Sequence, residues 1–272
     1  MSVVSAARNV LAEFRVCAQS PDDFRAQAFT RYLQMQARVI LGRRFPRAYP
    51  MPKSSRIFGR TWSCPNYEAA LGIFKEVFVA GEYHFAASSP NPVVVDAGAN
   101  IGLASLYFHL LYPECRVVAF EPDVAAFSAL RQNVQANGLN VQCVNAGLWA
   151  LEGTHTIYTD PSNEAGVSAS MFQCSNLTTA VDIQVVQLSR YIDGPVDLLK
   201  LDVEGAETAV LRDLAQSGKL TEIRQAIIEF HPHKGQPENK LDECLALLQE
   251  RFAIEVSDVR GATMVWALGK QR

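Results

Sequence analysis

The stretch Val93-Val94-Val95-Asp96-Ala97-Gly98-Ala99-Asn100-Ile101-Gly102 decides the fold. Three β-branched apolar residues in a row read as a short strand covered on both faces, because a half-exposed strand would alternate. Gly98 and Gly102 then allow a sharp turn, and a helix runs from Ile101 to Leu111 until Pro113 stops it. Strand, glycine turn and helix in that order predict a doubly wound sheet, which binds ligands beyond the carboxyl ends of its strands. The spacing is D-x-G-x-N-x-G. The dinucleotide pattern G-x-G-x-x-G, begun at Gly98, would require glycine where Asn100 and Leu103 stand. That mismatch opposes an NAD-dependent oxidoreductase.

Outward from this stretch the chain alternates. Arg116–Phe120 reads as a second strand, and Asp123 caps a helix whose apolar positions Val124, Phe127, Leu130 and Val134 recur at helical spacing. Asn137-Gly138 closes that helix. Val141–Val144, Val196–Leu201 and Gln225–Phe230 read as strands three to five, with helices near 206–216 and 240–251. Such alternation predicts a parallel sheet covered on both faces. Residues 152–188, with Thr154–Thr159 and Val181–Leu188, form a β-rich insertion, and Phe252–Val256 with Thr263–Leu268 form a terminal antiparallel hairpin. Residues 1–90 are expected as a helical extension or lid before a domain at 91–272. Its helices fall at 21–44, started by Ser20-Pro21-Asp22-Asp23, and in Tyr67–Phe85, with Arg43–Pro50 as a solvated linker.

An acid ending the first strand, Asp96, suits the cationic amino-acid end of S-adenosylmethionine, directly or through water. Glu121 ends the second strand, where a carboxylate can accept from both hydroxyls of a ribose. Gly98, Asn100 and Gly102 complete the expected cofactor turn. Asn145 and Gly147, read as the end of the third strand, are candidates for reaching the adenine ring, although an ordinary turn explains them equally well.

With these residues the chain resembles the FkbM family of methyltransferases over about residues 72–268. The resemblance rests on Phe74-Lys75-Glu76-Val77-Phe78 with Gly81 and Tyr83, on Val95–Gly102, on Phe120-Glu121-Pro122, and most of all on Leu199-Lys200-Leu201-Asp202-Val203-Glu204-Gly205-Ala206-Glu207. It implies a seven-stranded, mostly parallel α/β sheet of the Rossmann-like class with an antiparallel C-terminal hairpin. It also implies S-adenosylmethionine-dependent methyl transfer, usually to a hydroxyl of a small metabolite or sugar. The chain departs from the family at Leu188-Ser189, where Leu-Asp is usual.

Methyl transfer from a sulfonium needs the acceptor aligned and its proton removed. The fourth strand is expected to present Lys200, Asp202 and Glu204 on one face, since side chains alternate along a strand. The alternative is an internal ion pair of Lys200. His231 follows the fifth strand in Ile228-Glu229-Phe230-His231-Pro232-His233 and has the ordinary pKa of a general base. Either His231 or Asp202 is expected to take the hydroxyl proton while the other orients it. Asp202, Glu229, His231 and His233 also form a possible divalent metal set, not the favoured reading. Tyr67, Tyr83, Ser168, Ser170 and Phe172 are candidates to line the acceptor pocket.

Composition narrows the partners. Of 272 residues, 49% are hydrophobic and 19% charged, which describes an ordinary globular protein. A formal charge of −3 provides no general attraction to nucleic acid or an anionic membrane. Six cysteines without C-x-x-C spacing read as reduced thiols, and the expected location is the cytoplasm. The expected partner is a small hydroxyl-bearing molecule, with no nucleic acid and no membrane; oligomeric state is not legible. A non-catalytic S-adenosylmethionine- or nucleotide-binding protein is the alternative.

Overall fold

The computed structural model describes residues 23–159, 169–170, 179–231, 240–259 and 262–270. The chain divides into two compact units, Met1–His84 and Phe85–Arg272.

In the first unit, α1 (Asp23–Arg44) precedes a hairpin of β1 (Ser54–Ile57) and β2 (Arg60–Ser63), then α2 (Tyr67–Phe74). The Asn66 side chain caps α2 by accepting from the Ala69 amide. A π-helical turn, Lys75–Ala80, ends at Gly81 with φ 68°. The rings of Phe24, Phe58, Phe74 and Phe78 pack together, with Phe74 and Phe78 stacked at 4.7 Å. The start signal expected at Ser20-Pro21-Asp22 lies outside the described residues. The β1–β2 hairpin has no counterpart in the sequence reading.

The second unit carries the expected α/β sheet. Its strands are β3 (Val93–Ala97), β4 (Arg116–Phe120), β5 (Val141–Val144), β10 (Leu198–Leu201), β11 (Gln225–Phe230), β12 (Phe252–Val259) and β13 (Ala262–Gly269). They lie in the order β12-β13-β11-β10-β3-β4-β5. The five central strands are parallel, and β13 runs antiparallel to both β11 and β12. The helices are α3 (Leu103–Leu111), α4 (Val124–Asn137), α5 (Glu207–Gln216) and α6 (Leu241–Gln249). Val95, Ala97, Phe120, Leu199, Leu201, Ile228 and Phe230 join Val210, Leu211 and Leu214 of α5 in one buried cluster.

From β3 the chain moves outward through β4 and β5, then returns to lay β10 along the other side of β3. The order reverses there, and in doubly wound sheets ligands bind at the carboxyl edge beside such a reversal. The insertion is a separate four-stranded sheet, β6-β9-β7-β8, built from Gly147–Leu148, Thr179–Val186, Gly153–Thr159 and Ala169–Ser170. It packs its own small core of Ile157, Ile183 and Val185 against Trp149. This corrects the reading of Gly147, which opens a strand of that sheet instead of ending the third strand of the main one. Cys64, Cys115, Cys143 and Cys244 are free thiols. Among the described residues no helix is long and apolar enough to cross a membrane.

Candidate active site

The turn after β3 is a backbone device. Gly98, Asn100 and Gly102 all take positive φ, at 81°, 48° and 89°. Asn100 tolerates it because its Oδ1 accepts from the Ile101 amide at 2.8 Å. A Cβ on Gly98 would lie 1.7 Å from the carbonyl oxygen of Asp202. Glycine is therefore needed at 98 for the approach of the neighbouring strand end, a demand the motif spacing does not reveal.

Glu121 folds back onto this turn. One carboxylate oxygen accepts from the Asn100 amide (2.8 Å), the other from the Asp123 amide (2.9 Å). Burial pushes its pKa up to about 7, against the pull of those two amides. Asn145 sits beside it, but its side-chain amide donates to the Glu121 and Pro122 carbonyls. Gly147 is buried, and a Cβ there would press on Ile183 Cδ1 at 2.8 Å and Val185 Cγ1 at 3.2 Å. Packing in the second sheet explains that glycine, and the expected approach of Gly147 to an adenine ring loses its basis.

Asp96 is fully buried inside β3. Its Oδ2 accepts from Ser105 Oγ at 2.7 Å, and its Oδ1 lies 3.4 Å from Lys200 Nζ. The register sets the second contact, since Lys200 of β10 is directly opposite Asp96 of β3. The carboxylate is thus turned inward, where it anchors Lys200 and α3. Lys200 is itself buried, and its Nζ donates to Gly98 O at 2.5 Å and pairs with Asp202 Oδ2 at 3.3 Å. Burial pulls the lysine pKa down, but Asp202, Asp96 and Glu229 outweigh that effect and raise it. The internal ion pair that the sequence allowed and a place beside the crevice are both realised in one side chain.

Alternation along β10 ends at Leu201. Glu204 reaches the crevice through a left-handed turn, φ 53°, followed by Gly205 at φ 109°. The expected common strand face is therefore not formed: only Lys200 lies in β10, Asp202 stays in its reach just beyond the strand end, and Glu204 is carried away by the turn. His231 comes in from the end of β11. Its Nδ1 donates to Glu207 Oε1 at 3.2 Å, while its Nε2 is 3.7 Å from Glu204 Oε2 and from Glu229 Oε1. Burial lowers the imidazole pKa, yet the Glu207 bond and the charges of Glu204 and Asp202 carry it up to about 10. Glu204 moves up to about 8, first through desolvation and then through repulsion by Asp202, Glu207 and Glu229, with His231 opposing. Its carboxylate neighbours thus favour the protonated ring, which leaves Asp202 as the other expected proton acceptor.

Asp202, Glu204 and His231 each bring one ligand atom within 4.8 Å of the others, a grouping able to hold a metal ion. Glu229, from the expected metal set, lies 3.7 Å from the same ring nitrogen as Glu204 but falls outside that grouping; His233 is outside the described residues. So are Ser168 and Phe172, while Ser170 lies in β8 and Tyr67 and Tyr83 are buried. Glu207, which closes the fourth-strand motif, is fully buried at the start of α5.

Residues 96–252 match the methyltransferase FkbM domain. The methyltransferase sdnD of Sordaria araneosa is 32% identical over 174 residues, 52% of this chain and 67% of that one. The 31-O-demethyl-FK506 methyltransferase FkbM of Streptomyces tacrolimicus is 29% identical over 228 residues, 70% of this chain and 84% of that protein. The crystal structure of methyltransferase FkbM from Methylobacillus flagellatus is 15% identical with a TM-score of 0.49, covering 97% of this chain and 60% of the other. Because the matched domain spans more than half of the sequence and includes both strand-end motifs, the chain belongs to the FkbM family of S-adenosylmethionine-dependent methyltransferases.

Proposed function

We propose that this protein transfers the methyl group of S-adenosylmethionine to a hydroxyl oxygen of a small metabolite or sugar. The observation that carries the reading is the meeting of Asp202, Glu204 and His231 beyond β10 and β11, across the crevice from the Gly98–Gly102 turn and Glu121. The name of the Streptomyces relative, a 31-O-demethyl-FK506 methyltransferase, supports oxygen as the acceptor atom.

The residues fit the donor. Each oxygen of Glu121 accepts one backbone amide and keeps a second lone pair, enough for two ribose hydroxyls. Gly98, Asn100 and Gly102 supply the turn against which the methionine end would lie. When bound, S-adenosylmethionine provides a methyl on a sulfonium whose departure leaves a neutral thioether. The protein's own task is then to orient the acceptor and accept its proton as the oxygen–carbon bond forms. Asp202 takes that proton in this reading. His231, whose protonated form its carboxylate neighbours favour, stands beside it and gathers Glu204 and Glu229.

A divalent metal is not needed in this reading, because the Asp202 carboxylate itself takes the proton. Calorimetry with S-adenosylmethionine, followed by labelled-methyl transfer across a panel of hydroxyl compounds, tests the proposal. Stoichiometric binding and release of the demethylated product are expected, unchanged by exhaustive chelation. Binding with no transfer to any hydroxyl would favour the non-catalytic alternative. Loss of turnover on chelation, restored by magnesium, would make Asp202, Glu204 and His231 ligands instead.

A further inference from the structure

We propose that Glu207 is a positioning residue, which holds the His231 ring by Nδ1 so that Nε2 faces the acceptor side among Asp202, Glu204 and Glu229. The inference rests on the reading that transfer occurs beyond β10 and β11.

A carboxylate with no exposed surface is costly unless it is paired and hydrogen-bonded. Glu207 has none, and its Oε1 accepts both the Gly205 amide (3.1 Å) and His231 Nδ1 (3.2 Å). Its place in the first turn of α5 favours an anion, but an exposed acid there would satisfy the helix equally well. Burial gains meaning from what the side chain touches. By taking Nδ1, Glu207 leaves Nε2 as the nitrogen that turns toward the carboxylates.

Two histidines of the second unit show the contrast. In His109, 5% exposed, Nδ1 lies 2.8 Å from Ser105 O and Nε2 accepts from the Asn140 amide at 3.1 Å. Both nitrogens serve the backbone, which makes that ring structural. His231 keeps 18% of its side chain exposed and meets carboxylates from three elements. Glu207 comes from α5, Asp202 and Glu204 from the turn after β10, and Glu229 from β11 itself; Lys200 of β10 faces the ring only through Asp202. Of these, only Glu207 is fully buried and hydrogen-bonded to the ring, so it is the group able to fix the ring plane.

Histidine-selective nitrogen-15 NMR of the full chain tests this without any acceptor. The chain has five histidines, and His231→Asn identifies the relevant signal. In wild type, the Nδ1–H of His231 should exchange slowly with water. In Glu207→Gln its titration midpoint should fall by more than one pH unit, with Glu207→Asp recovering part of the drop. Once an acceptor is known, Glu207→Gln should lower kcat at least tenfold and displace the pH profile, leaving the KM for S-adenosylmethionine within twofold. A His231 midpoint unmoved in folded Glu207→Gln would overturn the assignment. If that variant fails to fold, the wild type decides: fast Nδ1–H exchange, or a neutral ring protonated at Nε2, also overturns it. Failure of the parent reading would appear separately, as absent S-adenosylmethionine binding or transfer.

Discussion

Along the carboxyl edge of the sheet, the turns after β3 and β4 are held by backbone groups, whereas those after β10 and β11 are held by side-chain charge. On the first side three residues adopt positive φ, and Glu121 spends its oxygens on two amides. On the second side Asp202, Glu204, Glu207 and Glu229 surround one imidazole. A nucleoside needs fixed hydrogen-bonding groups at fixed spacing, which a rigid turn provides. A proton acceptor needs a tuned field, which clustered charge provides. Lys200 joins the two, because it lies on β10 yet donates to Gly98 O.

Lys200→Met should therefore damage both sides at once and have the largest effect. The methionine keeps most of the volume but leaves Asp96 and Asp202 without their cation. Removing one partner of a buried ion pair costs about 3–5 kcal/mol. Urea unfolding should show that loss, accompanied by weaker S-adenosylmethionine binding as the Gly98 turn loosens. A variant within 1 kcal/mol of wild type would mean that the two sides are independent.

The same difference explains what the sequence disclosed. Val93–Gly102 was legible because strand, glycine spacing and helix are local, and the terminal hairpin because Arg260-Gly261 separates two extended runs. Lys200, Asp202 and His231 were legible as chemistry, since charged side chains among apolar strands stand out. Their geometry was not. Glu204 and Phe58 both take positive φ, at 53° and 45°, where sequence leads one to expect glycine or asparagine. For Phe58 this hid the β1–β2 turn, and for Glu204 it hid the break in strand alternation. Gly147 was misread for a related reason. The demand on it comes from a distant segment, β9, as the inward pairing of Asp96 comes from β10, and spacing within one motif carries no trace of either.

Titration should separate the sides. Glu121 has a folded pKa of about 7, above that of an ordinary carboxylate, so its stabilising protonation is complete below about pH 4.5 and lost as pH rises to 7. His231, raised to about 10, contributes stability that is complete below about 6.5 and lost as pH climbs through 10. Glu204, raised to about 8, adds to the lower window, so wild-type stability should fall first through a stage shared by Glu121 and Glu204 and then through the His231 stage. Glu121→Gln should shrink the shared stage by about 2–3 kcal/mol and weaken S-adenosylmethionine binding about tenfold. A lower stage of unchanged size in Glu121→Gln would mean that Glu204 or another acid produces all of it.

The smallest effect should come from Asn145. Its side-chain amide donates to the Glu121 and Pro122 carbonyls, so it braces the backbone under the Glu121 carboxylate. Asn145→Ala forfeits those two bonds at a partly exposed position, where water replaces the donor, and should cost about 1 kcal/mol in urea unfolding. Because the donor points at protein, S-adenosylmethionine affinity should change less than twofold by calorimetry. A tenfold loss of affinity with unchanged stability would show instead that the remaining amide oxygen reads the adenine. The backbone side of the crevice would then use a side chain for recognition, and the contrast with the charged side would narrow to Glu207, His231 and their neighbours.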